Sequence, residues 1–438
     1  MRSAVRYSER VTEYRFESFS PALTDGAPDA ATRNYLQAVL AGFHDKRPKE
    51  EDLVRRVERA IADDRHFTAA YVGHAPAHAL DAAIPVATFA HFEKRINVGG
   101  GRLVPAHLIT WVTVRPTHRR RGLLRSLMTA NLTEAKAAGY PFAALTASEG
   151  GIYSRFGFGA ATWYSDMEID TTPGFALGVE PDRRVEICEA SKLSELAPAI
   201  YQRFVEYSPG AMERQALYTV VAAGELDPET GEEDRGVRAA LHYDVEGQPD
   251  GYVSYKFAGE TFTEGRIEIL DFVAVSDAAY SALWAFLGAV DLVKKISFDY
   301  AAQESPLPWL LTDPRRAKVL SRHDGVWLRI LDVVKALEAR PWTVPGTLTI
   351  KVNDPMHLAE GTFRIMSDGA GAEVETASAS VPVDLELGVA ELGSIYLGGA
   401  DPVILTRAGR ITAHSSGAAM RARSMFGLER APYSPNDF

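Results

Sequence analysis

Cysteine is nearly absent: Cys188 is the only one in 438 residues. No intramolecular disulfide can form, and a cysteine-ligated zinc cluster is excluded. The thiol sits in Val185-Glu186-Ile187-Cys188, which reads as a strand, and a small buried hydrophobe is the expected role. Also missing is any run of about 18 apolar residues, the length a helix needs to cross a bilayer. Arg2, Arg6, Glu9 and Arg10 charge the N-terminus without an apolar stretch beside them, so no signal peptide is expected. A cytoplasmic protein is the expectation, with release by a route that needs no signal peptide as the variant. The eleven histidines show no ligand spacing such as His-Glu-x-x-His, so no metal is expected. Positive charge is in deficit, with 47 Lys and Arg against 58 Asp and Glu, a net −11. That disfavours nucleic acid or an anionic membrane as partner and suits a cationic small molecule better.

What is present is a long, ordinary globular composition, 46% hydrophobic and 24% charged. The length predicts two to four domains. Residues 1–35 read as an irregular polar leader. Helical spacing of Leu36, Val39, Leu40 and Phe43 opens a pair of helices over 33–64. Strands are expected at 68–72, 84–92 and 104–114, with Gly99-Gly100-Gly101 turning the last two. A helix over 122–138 stops at Gly139, and a strand at 142–147, a short helix at 152–156 and a strand at 163–169 follow. After a linker over 173–184 the plan repeats faintly: helix 193–207, strands 251–257 and 266–275, helix 278–293, strand 296–300. Here the strand-to-helix corner, Val275-Ser276-Asp277-Ala278-Ala279, has neither glycine nor arginine, so it reads as a copy without a phosphate site. The acidic run 225–234 reads as a solvated loop. The last region is expected to form strands at 344–352, 361–365, 372–379 and 381–385 and helices at 388–397 and 418–426. Pro432 and Pro435 stiffen the final residues up to Phe438.

One segment carries chemistry. The apolar run from Ile109 to Val114 reads as a buried strand stopped by Pro116. Arg119-Arg120-Arg121-Gly122 then leads into a helix starting near Leu123. A helix N-terminus offers unpaired N–H groups and about half a positive charge, glycine lets backbone approach an anion, and arginines add forked donors. A pyrophosphate fits this arrangement, and the strand before it can pair with an extended amide-bearing ligand. The competing reading is an exposed basic turn that caps a helix. His118 lies in the same loop, where a structural or phosphate-contact role is expected rather than that of a base.

Val112-x-Val114-x-Pro116 followed by Arg119-x-x-Gly122 resembles motif A of the GNAT N-acetyltransferases. With Leu145-Thr-Ala-Ser148-Glu149-Gly150-Gly151-Ile152-Tyr153-Ser-Arg155-Phe156-Gly157-Phe158-Gly159, the chain closely resembles the Eis-type (enhanced intracellular survival) acetyltransferases. Leu124 departs from the small residue that many GNAT proteins carry there, which bears on loop shape. The resemblance implies an α/β (α+β) chain of three units. These are an N-terminal GNAT domain with the acetyl-CoA site (1–175), a second GNAT-like domain without one (176–318) and a sterol-carrier-protein-like domain (319–438) whose tail reaches the active site. It implies that Val112, Thr113 and Val114 bind the pantetheine arm and thioester. Arg120, Arg121, Gly122, Leu123, Leu124 and Arg125 would wrap the pyrophosphate, with Ser148 and Glu149 as further cofactor contacts. Tyr153 would be the general acid, since a phenol with a pKa of about 10 keeps its proton at neutral pH. The terminal carboxylate of Phe438 would act as base, ionised at pH 7 because such groups titrate at about 3.3–3.7.

The implied reaction is acetyl transfer from acetyl-CoA to an amine of a cationic acceptor, by direct attack through a tetrahedral intermediate. The acceptor would be an aminoglycoside, a polyamine or a lysine side chain. The resemblance also implies a homohexamer with a role in antibiotic resistance. The alternative is an acyl-CoA-sensing or lipid-binding protein without turnover.

Overall fold

Asp29 accepts the N–H of Thr32 and so starts the Ala30–Gly42 helix. Glu50, Glu51 and Asp52 complement the positive end of the next helix, Glu50–Ala62. In the computed structural model, which describes residues 13–258, 265–378 and 380–438, these two helices cover one side of a seven-stranded sheet. Its strand order is Tyr14–Phe19, His66–Val72, Ala87–Asn97, Leu103–Val114, Phe142–Thr146, Val326–Ile330, Gly159–Ala160. Gly99, Gly100 and Gly101 all take positive φ in the central hairpin, a conformation that costs other residues strain. The Leu123–Ala137 helix packs on the other face through Leu123, Leu127, Met128 and Leu132.

A second seven-stranded sheet runs Val185–Cys188, Arg238–Tyr243, Pro249–Phe257, Arg266–Ala274, Lys295–Ala302, Trp163–Asp170, Ala317–Asp324. The helices Leu193–Tyr207 and Asp277–Gly288 flank it. A third sheet has five strands, in the order Ala372–Ala377, Gly361–Ser367, Gly346–Asn353, Leu385–Gly388, Ile411–Ala413. The helices Val389–Tyr396 and Ala418–Phe426 pack on it.

Sheet membership does not follow chain order. The Trp163–Asp170 strand, which in sequence continues the first unit, pairs with Lys295–Ala302 and Ala317–Asp324 of the second. The Val326–Ile330 strand returns to the first sheet and fills the place beside Phe142–Thr146. Alternation in a strand selects the buried face but not the neighbour, so this exchange leaves no local mark.

Four smaller differences have physical causes. Within the polar leader, Tyr14–Phe19 forms an edge strand on His66–Val72, where only Tyr14 is buried; the Arg2, Arg6, Glu9 and Arg10 stretch lies outside the described residues. The expected strand at 381–385 begins only at Leu385, because the turn before it is held by Asp384, which accepts Thr349 N–H. Cys188 is half-buried rather than buried, on an edge strand, and its thiol is pushed up by partial burial and by Glu189. The acidic loop is solvated at Glu225, Glu229, Glu232 and Glu233, as expected, but Asp234 is largely covered and pairs with Lys256 at 3.3 Å.

The largest core joins two units. Phe92, Leu108 and Phe142 of the first sheet pack with Leu348, Ile350, Leu392 and Phe426 of the third unit. Arg329 and Asp354, both fully buried, pair at 2.7 Å across the same junction. This docking brings the chain end back to the first sheet.

Candidate active site

The strand Leu103–Val114 is kinked where the site lies. Its antiparallel register on Ala87–Asn97 slips between Thr88 and Ala90, so that Trp111 and Val112 oppose a single residue. Trp111 takes φ 52, a left-handed conformation that is rare and strained for a bulky residue. On the other side, parallel pairing with Phe142–Thr146 stops after His107↔Ala143 and Leu108↔Ala144. Beyond that point the two strands part. A cavity of about 230 Å³ opens between them, walled by Ile109–Val112 on one side and Leu145–Ser148 on the other. The strand backbone facing it is released from the sheet and open to an extended partner.

The loop that follows carries exposed guanidinium groups into an uncapped helix start. Arg120 and Gly122 both adopt left-handed backbone, at φ 64 and φ 86. Gly122 heads the Leu123–Ala137 helix without any side-chain cap, and no acid sits in the first turn. The N–H groups of Leu123, Leu124 and Arg125 therefore point out of a helix end that has no acceptors of its own. Arg119, Arg120, Arg121 and Arg125 are exposed around it. The guanidinium of Arg121 leans on the sheet edge, 3.2 Å from Tyr14 Oη and 3.5 Å from Glu13. The corresponding corner of the second unit is shut. Ser276 caps its own helix by accepting Ala279 N–H at 3.0 Å, and Asp277 adds negative charge.

Two groups able to move protons meet at the cavity. Tyr153 ends the short Gly150–Tyr153 helix and lines it, 8% exposed. Burial raises its phenol above the ordinary value, and Glu149 adds to the shift, so it remains a donor at neutral pH. From the far end of the sequence, Phe438 lines the same cavity. Thr146 Oγ1 donates to its terminal oxygen at 2.8 Å and accepts its N–H at 3.2 Å. The Phe438 ring stands edge-on to Phe92 at 5.9 Å.

The remaining wall is acidic and aromatic: Phe43, Trp111, Tyr164, Asp324 and Asp437. Tyr164 stacks on Tyr300 at 4.7 Å, and burial together with Asp437, Asp166 and Asp324 pushes its phenol up to about 12. Tyr300 Oη donates to Asp437 at 2.6 Å. Burial raises the Asp437 carboxyl against the opposing pull of that bond. Carboxylates among aromatic faces attract an organic cation.

Matches to known proteins identify the family and the fold. Residues 27–161 and 210–330 each match an acetyltransferase (GNAT) domain family, and residues 333–435 match a sterol carrier protein domain family. The chain is 34% identical to the N-acetyltransferase Eis of Mycobacterium tuberculosis over 351 residues, covering 77% of this chain and 81% of that protein. The chain belongs to the Eis-type GNAT N-acetyltransferases. It is also 33% identical to an uncharacterized N-acetyltransferase of Streptomyces griseus, covering 92% of this chain and 96% of the relative. The crystal structure of Eis1 from Mycobacterium abscessus superposes with a TM-score of 0.79 at 29% identity, covering 97% of this chain and all of that one. A GNAT-related protein from Anabaena variabilis shares the fold, with a TM-score of 0.77 at 21% identity. As a GNAT N-acetyltransferase, the protein uses an acyl-CoA and an amine. No helix among the described residues is long and apolar enough to cross a membrane.

Against this Eis-type frame the sequence-derived residues fall in two places. Val112, Ser148, Tyr153 and Phe438 line the cavity. Arg120, Gly122, Leu123, Leu124 and Arg125, with the backbone of Arg121, form the loop and first helical turn beside it. Thr113 and Val114 follow on the same strand outside the cavity lining: Thr113 Oγ1 bonds Thr88 Oγ1 at 2.7 Å, and Val114, half-buried, packs against the core. Glu149 stands at the start of the Tyr153 helix. His118 bonds Thr117 and stands edge-on to Tyr14, outside the cavity. Sequence reasoning missed Thr146, Trp111, Tyr164, Asp324 and Asp437. Asp437 has a signal in being next to the terminal residue, and Trp111 and Thr146 lie inside the Ile109–Val114 and Leu145–Gly159 segments without their residue types marking the site. Tyr164 and Asp324 reach it through the pairing of distant strands.

Proposed function

We propose that the cavity is where an acetyl group passes from acetyl-CoA to a primary amine of a cationic acceptor. The carrying observation is that a phenol, the chain's own terminal carboxylate and the released strand face one small space. The Arg120–Arg125 loop and the uncapped helix end would hold the pyrophosphate. Backbone of the 110–114 stretch would bind the pantetheine arm, and one of its N–H groups would face the thioester oxygen where charge develops. The acceptor ammonium would be drawn in by Asp437, Asp324 and the Phe438 carboxylate. That terminal carboxylate would take the amine proton, directly or through a water. The C–N bond then forms at the acetyl carbon, the C–S bond breaks, Tyr153 gives its proton to the departing sulfur, and the excess proton on the new amide nitrogen returns to the Tyr153 phenolate. The acidic wall supports an aminoglycoside, a polyamine or a lysine side chain as acceptor.

The chain would divide at 1–175, 176–318 and 319–438, with only the first unit holding acetyl-CoA; the self-capped Ser276 corner supports this. Val319 and Leu320 on the edge strand Ala317–Asp324 are 60% and 61% exposed, and Trp309 on the Leu307–Leu310 helix is 90% exposed, which supports a homo-oligomer of the family's hexameric kind. Sedimentation tests that state. The activity is tested with a neomycin-type aminoglycoside, spermidine and a lysine peptide. Transfer to at least one is expected, and none turning over would remove the acceptor class. Appending two residues after Phe438 should stop transfer while acetyl-CoA binding by calorimetry is kept. Full activity of that extended protein would refute the role of the terminal carboxylate.

A further inference from the structure

The tail is held mainly by the unit that has no cofactor corner. Tyr433 N–H donates to the Pro209 carbonyl at 2.8 Å. Asn436 Nδ2 donates to Tyr201 Oη at 2.6 Å. Tyr218 Oη accepts the Asp437 N–H at 2.6 Å and donates to the Asp437 carbonyl at 2.9 Å. Tyr300 holds the Asp437 side chain. Pro209, Tyr201, Tyr218 and Tyr300 all come from the second unit, whereas Thr146 of the first holds only the last residue.

Behind two of these tyrosines lies a buried ion pair. Arg214 forks onto Asp271 at 2.7 and 2.8 Å, with the two side chains 8% and 7% exposed. Tyr252 Oη donates to Asp271 at 2.6 Å, closing the group. The Arg214 guanidinium lies 4.1 Å from the Tyr201 ring centre and 5.1 Å from that of Tyr218. Burying two charges carries a desolvation penalty that such a pair often does not recover as stability. Its effect here is geometric. A planar cation against both rings sets the direction of the two hydroxyls that grip residues 436 and 437.

We propose that the second GNAT unit is a receptor for the chain's own C-terminal tail, and that Arg214 is a positioning residue which, through Tyr201 and Tyr218, sets the Phe438 carboxylate in the cavity. The catalytic consequence rests on the reading of that carboxylate as base, but the positioning itself can be read without catalysis.

The test uses the full chain in two forms. Tyr218→Phe removes only the hydroxyl. Arg214→Met combined with Asp271→Leu removes both charges, so neither is left unpaired. Coenzyme A binding at parental affinity serves as the control for the fold. Each protein is exposed to a carboxypeptidase and release of Phe438 is followed by mass spectrometry. Both variants should lose Phe438 at least about tenfold faster than the parent. Their kcat should fall by about tenfold, with the KM for acetyl-CoA unchanged. Parental trimming rates in both variants would overturn the proposal. Faster trimming in Tyr218→Phe alone would overturn the part given to Arg214. Faster trimming with parental kcat would uphold the positioning while removing the carboxylate from the chemistry.

Discussion

Replacing Thr146 by valine keeps the shape of the side chain and deletes one hydroxyl. That hydroxyl makes two bonds to the last residue, donating to a carboxylate oxygen at 2.8 Å and accepting the Phe438 N–H at 3.2 Å. A hydrogen bond to a charged group contributes about 1.5–3 kcal/mol. If the terminal carboxylate must be held to take the amine proton, most of that energy is lost from the transition state. At about 1.4 kcal/mol per factor of ten, kcat should drop roughly 10- to 150-fold. The arginine loop is untouched, so the KM for acetyl-CoA should stay within a factor of two or so. Steady-state kinetics with acetyl-CoA and spermidine or an aminoglycoside, following thiol release, reads both constants. A kcat within twofold of the parent would show that the clamp does not serve the chemistry.

Three further outcomes follow from the same structure. Tyr153→Phe should lower kcat by about 10²–10⁴ while leaving coenzyme A binding unchanged by calorimetry; parental kcat would remove the phenol as acid. Asp354→Ala leaves Arg329 buried without its partner and orphans the N–H groups of Met356, Leu358 and Ala359, so a loss of about 3–5 kcal/mol is expected in urea unfolding. Arg329→Met with Asp354→Asn should recover most of that loss, and a double variant weaker than the single one would contradict the account. Burial, together with neighbouring imidazoles, lowers His91 to about 3, and burial lowers His107 to about 4 despite the Asn131 bond. Both are neutral in either state above about pH 6.5, whereas below it the unfolded chain binds protons that the folded one refuses. Stability should then fall by about 1.4 kcal/mol per pH unit for each ring until the folded values are approached. Melting measured from pH 6.5 to 5 should decline less steeply in His91→Phe, and identical slopes would refute the assignment.

Local chemistry was legible in the sequence; long-range pairing was not. The helices Leu193–Tyr207 and Ala418–Phe426 fall where apolar spacing puts them, because such helices close their hydrogen bonds within the segment. The Arg119–Gly122 turn was readable because glycine at φ 86 and an uncapped helix end leave their residue types behind. Tyr153 and Phe438 were named through resemblance; alone, each looks like an ordinary aromatic. Asp324 and Tyr164 enter the cavity only because strands far apart in the chain pair beside it, and neither polarity nor period records a partner. The left-handed Trp111 is the plainest case. Nothing about a tryptophan in an apolar run announces a bulge, yet the bulged residue lines the cavity.

The exchange of strands between the first two sheets governs the order in which the protein can mature. Until residue 330 has been made, the edge of Phe142–Thr146 that takes Val326–Ile330 has no neighbour. At roughly 5–20 residues per second, the interval from residue 146 is about ten to forty seconds on the ribosome. A fragment stopped at Ala161 should therefore stick to itself through that bare edge, and a soluble, monomeric fragment would show that the gap is harmless. If the edge is sticky, the units cannot be separated by cutting between them, and the enzyme must be inherited, expressed and engineered as one interlocked piece.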